Sequence, residues 1–231
     1  MDLQTLVEMD RQVLGVFNGA HNMFLDTLMV TLTTGVTWVP LYIALLYMVV
    51  KNKETMAQVT LMVVCCALCL MITELVTEGY VKPLVARPRP GSDPEWMNMV
   101  HVVNGRRGSD YSFFSAHAAN TSGIAVFFAW AVRNKVFTWL MVGWSLVNCY
   151  TRLYLAMHYP FDILVGLAFG TLVGSLVYLV YWLVDKQSGS GQRYVSSQYT
   201  STGYAVADVD VVAFTLAAVC FLSVLLSLFM H

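Results

Sequence analysis

Three short stretches of this chain carry residues suited to handling a phosphate group. Lys82 and Arg89 are separated by six residues in KPLVARPRP, and Ser115 and His117 sit in FFSAHA. In RLYLAMHYPFD, five residues separate Arg152 from His158 and three separate His158 from Asp162. Moving a phosphoryl group needs fixed positive charge around its equatorial oxygens, an in-line nucleophile and a proton for the departing oxygen. Lys82, Arg89 and Arg152 supply the charge, the arginines as planar forks that match phosphate oxygens. Ser115 adds a hydroxyl. Ser112 is the expected N-cap of a helix opening at Phe113, which would aim the amides near Ser115 and Ala116 at an anion. His158 stands in a turn just ahead of Pro160, a residue favoured in the first turn of a helix. Asp162, four positions on, can accept from one ring nitrogen of His158 and leave the other free to attack phosphorus, as a nucleophile with its orienting partner. No grouping of His, Cys or carboxylates has metal-ligand spacing, so the cradle is expected to work without metal or other cofactor.

The elements that must position these residues are membrane helices. Of the 231 residues, 58% are hydrophobic and only 12% charged, with a mean hydropathy of +0.63, too apolar for an ordinary soluble domain. Crossing ~30 Å of hydrocarbon takes about 20 apolar residues. Six stretches offer this: Met23 to Val50, Met56 to Tyr80, Phe113 to Val132, Val136 to Tyr154, Pro160 to Val184 and Val209 to Met230. The expected fold is all-α, a polytopic transmembrane helix bundle of about six spans, forming a single domain over 1–231 with its motif core at 77–174. Met1 to Ala20 places Glu8, Asp10 and Arg11 between apolar residues at helical spacing and has neither a basic leader nor a small-residue cleavage site. It reads as an N-terminal interfacial helix. Gly35 and Pro40 interrupt the first stretch, leaving open whether it is one kinked span or two, and so the side on which the N-terminus lies. Gln187 to Asp208, rich in Ser, Gly and Tyr, is expected to be a flexible polar loop before the last span at 209–230.

The basic residues Lys51, Lys53, Arg133, Lys135, Lys186 and Arg193 fall in breaks that alternate to one side, which the positive-inside rule makes cytoplasmic. All three clusters then meet at the opposite, periplasmic face of an inner (cytoplasmic) membrane. Lys82, Arg87, Arg89, Arg106 and Arg107 run against the rule, which marks that face for function. Cys65, Cys66, Cys69, Cys149 and Cys220 all lie within spans and read as small packing residues. A net charge of −1 gives no field for nucleic acid. The implied partner is a phosphorylated lipid drawn from the bilayer, and no obligate protein partner is inferred.

The same residues resemble the type 2 phosphatidic acid phosphatase family, whose pattern is a lysine, six residues and Arg-Pro, then Pro-Ser-Gly-His, then Ser-Arg, five residues, His, three residues and Asp. Lys82, Arg89 and Pro90 match the first part, and Arg152, His158 and Asp162 the third. In the middle part Ser115 and His117 are kept, while Phe114 stands for Pro and Ala116 for Gly; Thr151 stands for Ser ahead of Arg152. The resemblance implies a phosphohistidine formed on His158, protonation of the leaving group by His117, and phosphate binding by Lys82, Arg89, Ser115, Ala116 and Arg152. It further implies a bacterial lipid phosphatase, with lipid A phosphate favoured as substrate, undecaprenyl diphosphate second, and phosphatidic acid and phosphatidylglycerol phosphate as further candidates.

Other readings of these features exist. A single histidine at a membrane interface is usually a polar anchor and a lone arginine at a span end usually snorkels, but three clusters on one face favour catalysis. Two other activities share the cradle: lipid phosphotransfer to an alcohol, and a catalytically silent lipid-binding protein. The vanadate peroxidases that share it are soluble. Glu74, Glu78 and Lys82 are spaced one helical turn apart and suit a structural ion pair better than headgroup discrimination. Arg87, Arg106 and Arg107 suit either a lipid headgroup or a solvated loop. His21, His101 and His231 receive no role.

Overall fold

The computed structural model describes residues 3–108, 111–187 and 197–230. Nine α-helices are present among these residues: α1 (Leu3–Asn18), α2 (Met23–Thr33), α3 (Val39–Asn52), α4 (Met56–Glu74), α5 (Lys82–Val85), α6 (Ala116–Val132), α7 (Lys135–Tyr154), α8 (Pro160–Gln187) and α9 (Val206–Phe229). There is no strand among the described residues beyond an isolated bridge between Tyr199 and Ala205. The chain is therefore the all-helical membrane bundle expected. Four stretches, Gly35–Asn52, Met56–Ser92, Pro160–Lys186 and Val206–Phe229, are long and apolar enough on their own to cross a bilayer. The remaining two passes are α6, only 17 residues and largely buried, and α7, which carries Lys135 and Arg152 at its ends. α6 packs inside the bundle and needs no fully apolar surface, while α7 buries one face, with Trp144, Asn148 and Cys149, and leaves Val136, Trp139 and Leu146 exposed on the other.

The first traverse is one broken helix. Thr34 leaves helical geometry with ψ 123°, and Pro40 restarts the chain in the first turn of α3. The carbonyls freed by the break are bonded locally, Thr31 by the Thr37 hydroxyl at 2.6 Å and Leu32 by the Trp38 indole at 2.9 Å. α2 and α3 both pack along α9. Lys51 at the end of α3 meets Asp208 at the start of α9, so residues 23–52 make a single antiparallel crossing beside it. α4 opens on a capping box formed by Thr55 and Gln58. It then continues as a π-helical stretch, Leu75–Val81, into α5, which carries the helix past the expected end at Tyr80.

α6 and α8 form the central pair. Gly166, Gly170 and Gly174 recur every four residues along α8 and face the backbone of α6: a Cβ built on Gly170 would stand 2.1 Å from the Ala119 carbonyl oxygen, and one on Gly174 2.3 Å from that of Gly123. Small residues at this spacing let two backbones approach closely, the usual basis of tight packing between membrane helices. The connector before α9 is shorter than expected. α8 runs on to Gln187, residues 188–196 of the expected loop lie outside the described residues, and 197–205 form a turn in which the Thr200 amide donates to the Tyr204 carbonyl at 2.8 Å. α9 then begins at Val206 instead of Val209 because the Tyr204 ring is buried in the core and anchors the entry.

Candidate active site

The turn between α7 and α8 carries the central histidine. After Tyr154 the chain reverses through Ala156 at φ 50°, the left-handed region, and Pro160 starts α8. Contacts from elsewhere hold the turn: the Gly91 amide on the Ala156 carbonyl at 3.3 Å, and Arg89 Nη1 on the Met157 carbonyl at 3.1 Å. Asn18 Nδ2 adds a bond to the Tyr154 carbonyl at 2.6 Å. His158 is 1% exposed. Its Nδ1 lies 2.9 Å from the Ser112 carbonyl oxygen, an acceptor only, so Nδ1 carries the proton and Nε2 keeps its lone pair. Nε2 faces the guanidinium of Arg89, 3.4 Å away. Burial lowers the His158 pKa to about 4, against the opposing pull of Asp162, so the imidazole is neutral at neutral pH.

Asp162 was expected to hold His158 directly. Its Oδ2 lies 3.7 Å from Nδ1, beyond the 2.9 Å of the Ser112 carbonyl, and reaches back to the Tyr159 amide at 2.9 Å as a capping acceptor. Its other oxygen, Oδ1, accepts from Arg87 Nη1 at 2.8 Å. Arg87, for which the sequence left two readings, is more than a solvated loop charge: it is bonded to Asp162 and Asp10 and lies over the Tyr159 ring.

The start of α6 differs from expectation by three residues. Ser115, not Ser112, is the N-cap, with extended backbone and its hydroxyl accepting from the Ala118 amide at 3.3 Å; the helix opens at Ala116. Two serines compete for the cap, and the apolar Phe113-Phe114 pair between them resembles a helix start. The Ser115 amide bonds the Asp162 carbonyl at 3.1 Å, tying the starts of α6 and α8 together. The Ala116 and His117 amides open the helix with no carbonyl four residues back to bond. His117 is exposed at the mouth, close enough to Arg152, His158, Lys82 and Arg89 for their charges to act on it.

The positive groups converge from three elements. Lys82 is buried and paired with Glu78, the ion pair expected from their spacing, and Glu74 accepts from Asn120 Nδ2 at 2.9 Å. The π-helical stretch lies directly before Lys82, where the altered winding changes the direction in which α5 presents its side chains. Arg152 donates from Nη1 to Thr33 Oγ1 at 2.9 Å, while its Nε is buried without a protein partner. Gly108 packs on the Arg89 side chain, where a Cβ would lie 2.4 Å from Cδ. Below this cluster an apolar groove of about 250 Å³ opens between α3, α4, α6 and α7; Asn120 and Thr121, one turn from His117, form its polar end, and Leu45, Leu70, Ile124 and Phe128 line the rest. Among the described residues no group of three or more His, Cys, Asp and Glu is placed to hold a metal ion. His101 bonds Asp26 at 3.2 Å and stacks on His21 at 4.0 Å, apart from this cluster.

The sequence reading gave no role to Asp10 or Tyr159 and did not join Arg87 to either. Asp10 is 2% exposed although α1 read as a surface helix. Tyr159 donates its hydroxyl to Asp93 at 2.7 Å, and Arg11 pairs with the same Asp93 oxygen at 3.1 Å. The one signal available was the adjacent pair of opposite charges, Asp10 and Arg11, at the centre of an amphipathic helix.

The chain is similar to two curated proteins named lipid A 4'-phosphatase. The one from Bacteroides thetaiotaomicron is 38% identical over 77% of this chain and 79% of that protein, and the one from Porphyromonas gingivalis is 29% identical over 94% and 93%. Among solved structures it resembles LpxE of Aquifex aeolicus, with a TM-score of 0.53, 18% identity and coverage of 72% of this chain and 92% of that one. It also resembles a transmembrane PAP2-type phosphatidylglycerolphosphate phosphatase of Bacillus subtilis, with a TM-score of 0.57, 18% identity and coverage of 79% and 87%. Residues 58–186, more than half of the chain, match the family model of the PAP2 superfamily, and the protein belongs to that superfamily.

Proposed function

We propose that this protein removes a phosphate from lipid A at the periplasmic face of the inner membrane through a phosphohistidine on His158. The observation that carries the reading is the state of His158: buried, neutral, with Nδ1 engaged by a carbonyl and Nε2 turned toward the arginine side of the cluster. Nε2 forms the N–P bond as the P–O bond to the lipid breaks, and His117, at the mouth, gives the departing oxygen its proton. Water then attacks phosphorus, its proton passes to His117, and the N–P electron pair returns to Nε2. Lys82, Arg89 and Arg152, with the Ser115 hydroxyl and the first α6 amides at Ala116, balance the phosphate charge. Asp162 stabilises the ring as it becomes cationic, from 3.7 Å and through the turn it caps.

A lipid substrate is supported by the groove below His117, which suits a hydrocarbon tail while the phosphate reaches the cations. Lipid A is favoured by the names of the two relatives, which cover most of this chain. The periplasmic side rests on the basic residues at the opposite end of the bundle. The test is phosphate release from purified lipid A, undecaprenyl diphosphate, phosphatidic acid and phosphatidylglycerol phosphate by wild type and His158→Ala, all in EDTA. Release from lipid A that survives the chelator and disappears in the variant is expected. Release restored by a divalent ion, or near wild-type turnover in His158→Ala, would overturn the mechanism, and release from a different lipid alone would replace the substrate.

A further inference from the structure

Asp10 lies on α1, outside the residues 58–186 that match the family model, yet it is buried at the heart of the turn that carries His158. Its Oδ1 accepts from the Phe161 amide at 2.9 Å and its Oδ2 from Arg87 Nη2 at 2.6 Å. The other arm of the same guanidinium, Nη1, donates to Asp162 Oδ1 at 2.8 Å, and the guanidinium carbon lies 3.9 Å from the centre of the Tyr159 ring. Arg87 therefore bridges two carboxylates, one from the N-terminal helix and one beside the candidate nucleophile. Fastening α1 to the bundle needs none of this, because Arg11 on Asp93 and Asn18 on the Tyr154 carbonyl already do so without touching Asp162.

The arrangement has an electrostatic consequence. As the N–P bond forms, the His158 ring acquires positive charge, and Asp162 is the carboxylate beside it; Arg89 and Arg152, the other charged groups acting on the ring, oppose that charge. Arg87 competes with the imidazole for Asp162. Asp10 offsets that competition by sharing the guanidinium. We infer that Asp10, acting through Arg87, is a positioning residue that governs how strongly Asp162 supports the His158 imidazole, which makes α1 part of the reaction site as well as a membrane-surface helix. The inference rests on His158 being the nucleophile.

Asp10→Asn keeps the shape and an acceptor for the Phe161 amide but removes the charge shared with Arg87. In the purified full chain, kcat per folded molecule for lipid A phosphate release is expected to fall roughly tenfold to a hundredfold, with KM within about twofold, because the phosphate cradle is untouched. Asp10→Glu is expected to recover most of the loss. Wild-type kcat in Asp10→Asn overturns the inference, as does a raised KM with unchanged kcat. If Asp10→Asn does not fold, Arg87→Lys decides in its place: it keeps a charge but cannot bridge two carboxylates, and wild-type kcat there overturns the inference equally. His158→Ala in the same assay separates the two levels. An active His158→Ala removes the nucleophile on which the inference stands, whereas an inactive one beside an unimpaired Asp10→Asn refutes the role of Asp10 alone.

Discussion

The two ends of the bundle use the same charged residue types in opposite ways. Away from the site, Lys51, Arg133, Lys135 and Lys186 are exposed. Lys51 reaches Asp208 at 2.8 Å with 54% of its side chain in the open, and Lys53 rests over the rings of Tyr181 and Tyr204 at 5.5 and 5.2 Å. The Lys51 ammonium stays largely in solvent, although the Asp208 carboxylate it reaches is buried and also bonded by Asn52. At the site end Lys82 and Arg89 are buried, Arg152 is half-buried, and the carboxylates nearby are already engaged, Glu78 by Lys82 and Asp162 by Arg87. Burying cations near one another is costly and persists where a ligand's negative charge completes the cluster. Depth and crowding, not residue type, set the cations of the candidate site apart from those at the other end.

Removing one positive charge from each end tests that contrast most severely. Arg152→Ala is expected to lower kcat/KM for lipid A phosphate release by roughly a thousandfold, the scale of an arginine acting on a phosphoryl transition state. Lys51→Ala should stay within about twofold of wild type. Comparable losses at both ends, measured by steady-state kinetics, would dissolve the distinction. The seam that joins the ends is next: Gly170→Val, whose Cβ would stand 2.1 Å from the Ala119 carbonyl oxygen, should cost roughly 3 kcal/mol of stability. Gly143→Ala, with nothing within 4 Å of the new methyl, should leave the melting temperature in detergent unchanged or slightly raised. A tolerated Gly170→Val would mean that α6 and α8 are not locked together.

The smallest effect is a displacement in pH. An ordinary histidine protonates near 6.5, whereas burial holds His158 neutral down to about 4. Between those values the unfolded chain binds a proton that the folded chain refuses, so the contribution of this group to stability falls as the pH drops from 6.5 toward 4. The lone pair on Nε2 survives over the same window. Imidazole chemical shifts of labelled histidine, assigned by loss in His158→Ala, should show a titration near 4. A midpoint near 6.5 would mean that the ring is open to water and that the two ends of the molecule differ less than the burial implies.

Much of this site was legible in the sequence because its parts are local. His158 and Asp162 are four positions apart, Lys82 and Glu78 likewise, and the alternation of apolar stretches brings the three clusters to one face. What escaped notice depends on distant pairing. Asp10 and Arg87 are separated by 77 positions, and no spacing rule joins an amphipathic helix to a loop between spans. The cap at Ser115 was misplaced because capping is decided by backbone geometry at two neighbouring serines, not by residue type. The π-helical winding before Lys82 has no compositional mark at all. By contrast, Gly166, Gly170 and Gly174 were visible at four-residue intervals, and their meaning emerged only once α6 was seen to lie against them.

The break in the first traverse has a consequence for Arg152, the half-buried cation of the cluster. Because α2 stops at Thr33, the C-terminal end of a helix, with its fractional negative charge, is delivered to the interior of the membrane protein beside the Arg152 guanidinium, which bonds the Thr33 hydroxyl at 2.9 Å. An uninterrupted helix would carry that partial charge on to the far surface. The kink thus acts as a solvent substitute: it sets an oriented helix end and the Thr33 hydroxyl beside a guanidinium that has few other polar neighbours.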